Sequence, residues 1–271
     1  MITHPNCKVN LGLVITSRRP DGYHNLETVF LPVDNFTDEL EINPLPLGAT
    51  TTFCQEGTPL DCADADNIVL RAYNLLRTHH PQVGPVAIRL RKCIPFGAGL
   101  GGGSADAAFT LTMLNQIFSL GLSSQELCAY AATLGADCAV FVQNRAVLAR
   151  GIGDQFTPLP FSLSQRLEEE GLEVRIVKPD DYVSTKEAYS HITPRDRMDD
   201  ANQAHFMPLE EAVALPVEQW RHHLVNDFEA SVFPAHPAIA QLKQQMYDEG
   251  ALFAAMSGSG SAVFGIFRKN E

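Results

Sequence analysis

The sequence predicts an α+β protein, and three features along the chain support this class. Short apolar segments separated by turn residues fill the region up to Cys54, helical periodicity surrounds a glycine-rich stretch in the middle, and helices and strands are mixed towards the C-terminus. At 271 residues the chain can form one large domain or two modest ones. A change in character at residues 157–160 predicts a boundary near residue 156, which divides the chain into domains of residues 1–156 and 157–271.

The N-terminal part is predicted to be rich in strands, and the first two strands form a hairpin around the turn SRRPDG. The predicted strands cover residues 7–16, 26–34, 38–43 and 50–54. Lys8 and Asn10 are two residues apart, so on a strand their side chains share one face. That face is either the solvated side of an edge strand or part of a polar site. Tyr23 and His24 form either a capped turn or a surface suited to a nucleobase.

The middle of the chain is predicted to be mainly helical. Asp66 is predicted to cap a helix that ends at the sequence HHP, and a strand at residues 86–90 follows it. Beyond the glycines, a helix is predicted over residues 104–118. A capping box of Ser123 and Glu126 then begins another helix, which ends at Gly135.

Residues 94–108, IPFGAGLGGGSADAA, predict a phosphate-binding loop. Five glycines within seven residues let backbone N–H groups turn inward, and the following helix adds the positive end of its dipole. A Walker A loop is excluded because its lysine position is Gly103. A dinucleotide fold would need an acidic residue about 20 positions later, which is missing, and the chain has neither H-R-D nor D-F-G of protein kinases. A tight packing turn, the remaining alternative, needs one or two glycines rather than five.

Asp137 follows the helix-ending glycine within otherwise apolar sequence. A buried carboxylate is costly unless it is paired or functional, and a helix cap is the alternative interpretation. Towards the C-terminus, Ser184 and Glu187 are predicted to cap a short helix that carries Tyr189. The remaining predicted elements are strands at 145–149, 172–177, 252–256 and 262–267 and helices within 208–247. Residues 257–261, SGSGS, are either a hairpin turn or a second functional glycine loop.

Composition narrows the possible functions. A net charge of −12 argues against general binding to nucleic acid or anionic membranes. Six cysteines without a C-x-x-C pair predict reduced thiols and no zinc site. The N-terminus lacks the pattern of a signal peptide and no apolar run reaches transmembrane length, so a cytoplasmic location is expected.

Four motifs resemble the GHMP small-molecule kinase superfamily: K-x-N-L at Lys8, P-x-G-x-G-L-G-G-G-S from Pro95, L-G-A-D ending at Asp137, and SGSGS at 257–261. Within it, RRPDGYHNLETVF and GLGGGSADAA resemble the branch that phosphorylates 4-diphosphocytidyl-2-C-methyl-D-erythritol. The match extends over nearly the whole chain. The resemblance implies a two-domain GHMP kinase fold, with an N-terminal domain like ribosomal protein S5 domain 2 and a ferredoxin-like C-terminal domain.

The resemblance also implies an activity and a catalytic pair. The γ-phosphoryl group of ATP would move to the 2-hydroxyl of the methylerythritol unit, giving the 2-phosphate and ADP in the non-mevalonate isoprenoid pathway. Asp137 would orient the alcohol and accept its proton. Lys8 would keep the aspartate ionised and steady the transferring phosphoryl group. ATP would be the co-substrate, together with Mg²⁺.

The binding residues are likewise implied by the family's motifs. The substrate side would comprise Asn10, Tyr23, His24, Thr185 and Tyr189. No metal ligand is assigned apart from Ser104. The ATP side would comprise Pro95, Phe96, Gly97, Ala98, Gly99, Leu100, Gly101, Gly102, Gly103, Ser104 and Ala105, with Asn67 and Lys92 as further contacts. The expected partner is a small cytidine-diphosphate substrate, with no nucleic acid or membrane, and the protein would be a monomer or weak homodimer.

The sequence departs from the usual family motifs at two places, and two alternative functions remain open. Ala105 stands where many members have a second serine, and Cys138 with Ala139 replaces the usual Val-Pro, which loosens a local restraint on Asp137. The alternative functions are another GHMP kinase acting on mevalonate, homoserine or a sugar, and a nucleotide-binding module without catalysis. The RRPDGYH motif disfavours the first alternative, and the presence of both Lys8 and Asp137 disfavours the second.

Overall fold

The computed structural model describes residues 1–59, 63, 66–195 and 207–269, and its mixture of helices and sheets confirms the α+β class. The strands are β1 (Ile2–Thr3), β2 (Asn6–Arg18), β3 (His24–Thr37), β4 (Glu39–Pro44), β5 (Thr52–Gly57), β6 (Val86–Lys92), β7 (Val147–Arg150), β8 (Gln155–Pro158), β9 (Leu172–Val177), β10 (Phe253–Met256) and β11 (Val263–Arg268). The helices are α1 (Ile68–His79), α2 (Gly102–Ile117), α3 (Ser124–Leu134), α4 (Cys138–Gln143), α5 (Leu163–Glu169), α6 (Thr185–Tyr189), α7 (Leu209–Ala212), a 3₁₀ helix (Val217–His222), α8 (Asp227–Val232) and α9 (Pro237–Asp248).

The chain divides into two compact units, each assembled from segments that are distant in sequence. The first unit comprises Met1–Cys7, Phe36–Phe96 and Gly101–Asn144. The second comprises Lys8–Asn35, Gly97–Leu100 and Arg145–Glu271. The sequence-based boundary near residue 156 stays a prediction.

The first unit contains a four-stranded sheet in the order β1-β4-β6-β5. The strand β6 pairs antiparallel with β4 and parallel with β5. Helix α2 is buried along much of its length because small side chains such as Ala105 and Ala108 allow neighbouring elements to approach closely. Since β6 ends at Lys92 and α2 begins at Gly102, these two elements fix both ends of the glycine-rich stretch.

The second unit contains a sheet in the order β2-β3-β7-β8 and a three-stranded sheet in the order β10-β11-β9. In the three-stranded sheet, Val263 of the central strand lies opposite both Met256 and Val177. The apolar core of this unit includes Ile15, Phe228 and Met256. It thereby joins the first hairpin of the chain to the C-terminal elements.

Most predicted elements are present, with shifted ends. The capping box of Ser123 and Glu126 is confirmed. The predicted cap at Asp66 is wrong, because α1 begins one residue later and Asn67 Oδ1 accepts the bond from Val69 N at 3.0 Å. Four short elements, β1, β8, α4 and α5, were not predicted, since segments of two to seven residues carry little periodicity. Among the described residues, no helix is long and apolar enough to cross a membrane.

Candidate active site

The glycine-rich stretch forms a loop between β6 and α2. Gly97, Gly99 and Gly101 have φ angles of 63°, 73° and 74°, which residues with side chains rarely adopt. Between them, Ala98 and Leu100 are each 1% exposed. The alternation lets the two apolar side chains hold the loop against the protein, while the glycines have no side chains to cover the backbone.

The start of α2 has the properties of an anion site. Its N-cap is Gly101, which has no side chain to accept bonds from the first turn, and this turn contains no acidic residue. The first N–H groups of a helix lack partners within the helix and carry the positive end of its dipole. A 16-residue helix that begins in this way is suited to a phosphate group.

Lys8 lies against the glycine loop. It is 3% exposed, and its backbone N–H donates to Leu100 O at 2.9 Å. Its ammonium group donates to Gly99 O at 2.9 Å and to Asn10 Oδ1 at 2.7 Å, and lies 5.1 Å from the centre of the Phe30 ring. The second unit therefore places a lysine beside a loop that contains none.

Asn10 links Lys8 to the neighbouring strand. It is 2% exposed, and its Nδ2 donates to Thr28 Oγ1 at 3.0 Å, while this hydroxyl donates to Gly12 O at 2.5 Å. The solvated-edge interpretation of Lys8 and Asn10 is therefore wrong. Because both ends of the Asn10 amide are bonded, this side chain holds Lys8 in one orientation.

The second glycine loop, residues 257–261, packs on the first. Ser257 Oγ donates to Gly99 O at 2.9 Å, and Ala262 N donates to Ala98 O at 3.2 Å. A Cβ atom at Gly99 would overlap the carbonyl group of Ser257. Residues 257–261 are therefore more than a hairpin turn, because they support the first glycine loop. Only glycine fits at position 99, where the backbones of the two loops meet.

Asp137 lies at the N-cap of α4, and its side chain makes no capping bond, so the cap interpretation is not supported. The next residue, Cys138, is buried, which raises the pKa of its thiol to about 11 against a smaller lowering by a hydrogen bond with Ser104. The departure from Val-Pro therefore places a neutral thiol directly after Asp137 in sequence, where it contacts Ser104 in the first turn of α2.

Aromatic side chains cluster around the predicted cytidine residues. The rings of His24 and Tyr189 are stacked with centroids 4.8 Å apart and an angle of 19° between their planes. Tyr189 also packs edge-on against Phe228 at 4.8 Å, whereas Tyr23 is 65% exposed. A base between two rings needs a separation of about 7 Å, twice the optimal carbon–carbon contact. In this arrangement, therefore, a base can stack only on an outer face. The predicted residue Thr185 lies nearby in sequence, with its Oγ1 3.5 Å from Ser259 Oγ.

Two predicted ATP contacts have structural partners within the first unit. Asn67 caps α1 and also donates through Nδ2 to Gln55 Oε1 at 3.3 Å. Lys92 is buried, and its ammonium group bonds the carboxylates of Asp38 and Asp106. Burial acts to lower the pKa of Lys92, but attraction to the two carboxylates outweighs it and the pKa is raised. Contact of either residue with ATP stays a prediction.

The carboxyl group of Asp106 predicts a pH dependence of stability. Its burial raises its pKa from 3.8 to about 8, against the opposing attraction of Lys92. The folded protein therefore holds a proton that the unfolded chain releases. The resulting stability is present at acid pH and is lost as the pH rises through about 8. In urea unfolding, wild type should lose stability relative to Asp106→Asn between about pH 4 and about pH 8, and the difference should level off at higher pH. A difference between the two proteins that does not change with pH would contradict this assignment.

Comparisons with known proteins agree with this geometry. The sequence matches the GHMP kinases N terminal domain over residues 67–145 and the GHMP kinases C terminal family over residues 211–271. A Parabacteroides distasonis protein named 4-diphosphocytidyl-2-C-methyl-D-erythritol kinase is 48% identical over 269 residues, covering 99% of this chain and 92% of the relative. A Chlorobium limicola protein of the same name is 41% identical, covering 97% and 87%.

The chain belongs to the 4-diphosphocytidyl-2-C-methyl-D-erythritol kinase family of GHMP kinases. A crystal structure of 4-(cytidine 5'-diphospho)-2C-methyl-D-erythritol kinase has a TM-score of 0.80 and 32% identity, covering 99% of this chain and 91% of the other. A homoserine kinase from Cytophaga hutchinsonii has a TM-score of 0.70 at 18% identity, covering 98% and 85%, which shows the shared fold alone. The predicted GHMP kinase fold is confirmed.

Within this kinase family fold, the structure brings together several predicted residues in each unit. In the second unit, Lys8 and Asn10 lie at the loop residue Gly99. In the first unit, Ser104 of α2 lies against the residue that follows Asp137. The catalytic and binding roles of these residues stay predictions.

A magnesium site in this kinase would depend largely on the nucleotide. Among the described residues, no group of three or more His, Cys, Asp or Glu side chains could hold a metal. Mg²⁺ in kinases is commonly held by one or two protein groups together with substrate phosphates. The Ser104 hydroxyl group in the first turn of α2 is the oxygen donor that the sequence offers for such an ion, and its role as a metal ligand stays a prediction.

Several residues that support the loops were missed from sequence. Asn226 donates through Nδ2 to Met256 O at 2.7 Å and to Gly258 O at 2.8 Å. Glu229 accepts from Met256 N at 2.9 Å and is paired with Lys243. The polar pattern N-D-x-E at the start of α8 could have indicated a helix cap. It could not have indicated the contact with residues about 30 positions away, because no local rule reports such a distance.

Proposed function

We propose that this protein transfers the γ-phosphoryl group of ATP to the 2-hydroxyl of 4-diphosphocytidyl-2-C-methyl-D-erythritol. The products are the 2-phosphate and ADP, in the non-mevalonate route to isoprenoid precursors. The observation that carries the proposal is 48% identity to a kinase of that name over 99% of the chain. The glycine loop and the uncapped first turn of α2 supply the phosphate-binding chemistry that this reaction requires.

In the proposed reaction, the alcohol oxygen forms a bond to the γ-phosphorus as the bond to the β–γ bridging oxygen breaks. ADP leaves with that oxygen. Asp137 orients the attacking hydroxyl and accepts its proton. Lys8 contributes positive charge towards the transferring group, and its bonds to Gly99 O and Asn10 Oδ1 support a fixed ammonium at the loop. Positioning and electrostatic stabilisation supply most of the acceleration in reactions of this type.

The substrate side of the proposal rests on the aromatic cluster and its neighbours. Tyr23, His24 and Tyr189 would contact the cytosine base, since a flat aromatic face stacks on any nucleobase. Asn10 and Thr185 would line the remainder of the substrate. The stacked pair of His24 and Tyr189 supports this assignment because it is an aromatic surface already held in place by Phe228.

The proposal includes three further properties that follow the family resemblance. Mg²⁺ accompanies ATP and neutralises phosphate charge when bound, with the Ser104 hydroxyl group as a protein ligand. The enzyme acts in the cytoplasm. It is a monomer or weak homodimer, which light scattering over a range of protein concentrations would measure.

An ADP-release assay tests the substrate assignment. We expect turnover with 4-diphosphocytidyl-2-C-methyl-D-erythritol and background rates with mevalonate and homoserine. Phosphorus NMR of the product should locate the new phosphate on the 2-hydroxyl. Turnover of only mevalonate or homoserine would refute the substrate and favour another GHMP kinase. ATP binding without turnover of any of the three would favour a nucleotide-binding module.

A further inference from the structure

A buried charge cluster lies beneath the glycine loop, within the first unit. Lys92, the last residue of β6, donates to Asp106 Oδ2 at 2.6 Å and also bonds Asp38 Oδ2. The side chains of the lysine and both aspartates are at most 4% exposed. Buried charges are costly to maintain, and replacement by apolar residues often stabilises a protein. The cluster is therefore poorly explained by stability alone.

Asp38 holds the chain where it enters the glycine loop. Its Oδ1 accepts the backbone N–H groups of Cys93 at 2.5 Å and Ile94 at 2.8 Å. These are the two residues immediately before Pro95, at which the predicted ATP loop begins. The same carboxylate thus bonds both the loop entrance and Lys92.

Asp106 holds the other end of the loop. It is the fifth residue of α2, the helix into which the loop leads. Its bond to Lys92 ties that helix to the ammonium group that also holds Asp38. Within the described part of the chain, the other oxygen of Asp106 has no hydrogen-bond partner. The contacts of Asp106 with Lys92 and with the Asp38 carboxyl group are therefore the tethers that this side chain provides.

The two ends of the loop meet above this cluster. A Cβ atom at Gly102, the first residue of α2, would lie 2.8 Å from Ile94 Cγ2 and 3.4 Å from Lys92 Nζ. These contacts leave no room for a side chain at Gly102. The separation of the loop ends therefore depends on packing at Ile94 and on the shared ammonium group.

We infer that Asp38, Lys92 and Asp106 form a clamp that fixes the two ends of the ATP loop relative to each other. In this role Lys92 is a positioning residue, which acts on ATP through the loop rather than by touching the nucleotide. A loop with five glycines has many conformations when its ends are free. Fixing those ends beforehand reduces the entropy that ATP binding must overcome. This inference rests on the proposed function, because it takes the loop to be the ATP site.

The decisive comparison is between Asp106→Leu and Asp106→Asn. The leucine removes the tether from α2 and leaves Lys92 paired with Asp38, whereas the asparagine keeps an oxygen that accepts from Lys92. We expect Asp106→Leu to weaken ATP binding, measured by calorimetry, about tenfold or more, as for a lost buried hydrogen bond to a charged group. Asp106→Asn should stay within about threefold of wild type, since its amide oxygen can still accept the hydrogen bond from Lys92 Nζ. The KM for the alcohol substrate should change little in either variant.

Direct contact of Lys92 with ATP predicts the opposite result, because removing one carboxylate frees the ammonium group. Wild-type or tighter ATP binding by folded Asp106→Leu would overturn the clamp. Should the leucine prevent folding, Asp106→Ala removes the same tether without added bulk and decides by the same criterion. Glu41→Gln is the matched control, because it removes a charge that pairs with Arg89 between the same strands β4 and β6 but at a site away from the loop. Failure of the wild type itself to bind ATP would instead refute the proposed function.

Discussion

Replacing Asp137 by asparagine is expected to reduce kcat by about 10² to 10⁴, the range for a general base. The amide can still accept a hydrogen bond from the substrate hydroxyl, but it cannot take up the proton. ATP binding should be retained, because the phosphate cradle is provided by the loop backbone and the start of α2. Turnover would be measured by ADP release and ATP affinity by calorimetry on the same preparation.

The control for this experiment is Asp248→Asn. Asp248 is the exposed last residue of α9, so the same change of charge is made outside the proposed site. Its kcat should match that of the wild type. Near-normal turnover by Asp137→Asn would remove Asp137 from the mechanism. Parallel loss of turnover and of ATP affinity would show instead that the residue supports the nucleotide site.

Replacing Gly99 by alanine is expected to lower kcat/KM for ATP by about 100-fold, as for a displacement of about 1 Å at a reacting centre. Gly99 has a φ angle of 73°, and a Cβ atom there would overlap the carbonyl group of Ser257. The two glycine loops would have to separate. That movement would also strain the bonds that Lys8 and Ser257 make to Gly99 O.

Gly171→Ala separates the steric effect from backbone strain. Gly171 has a φ angle of 66°, but nothing lies within 4 Å of the position of its Cβ atom. Both variants should lose about 1 to 2 kcal/mol of stability through the left-handed conformation. Only Gly99→Ala should lose activity with ATP. Equal activity of the two variants would show that the contact between the loops is not required.

The sequence by itself determined the family, the α+β class and the chemistry of the central loop. These properties follow from short-range patterns: five closely spaced glycines before a helix, a capping box at Ser123, and motifs that place a lysine and an aspartate at fixed points. Local rules suffice because each pattern depends on neighbouring residues. The missing lysine in the loop also directed attention to Lys8, which the structure places against Gly99 O.

Only the tertiary structure decided what holds the loop. Asp38 lies more than 50 positions before the residues whose backbone it binds, and Ser257 lies 158 positions after Gly99. A sequence pattern cannot report such pairings, since they arise from sheet register and from close packing of helices. For the same reason the position of Lys92 in the sequence did not reveal its partners, and it predicted only a positive charge near ATP. In the structure its ammonium group is buried between two carboxylates, because the end of β6 lies beside the start of α2.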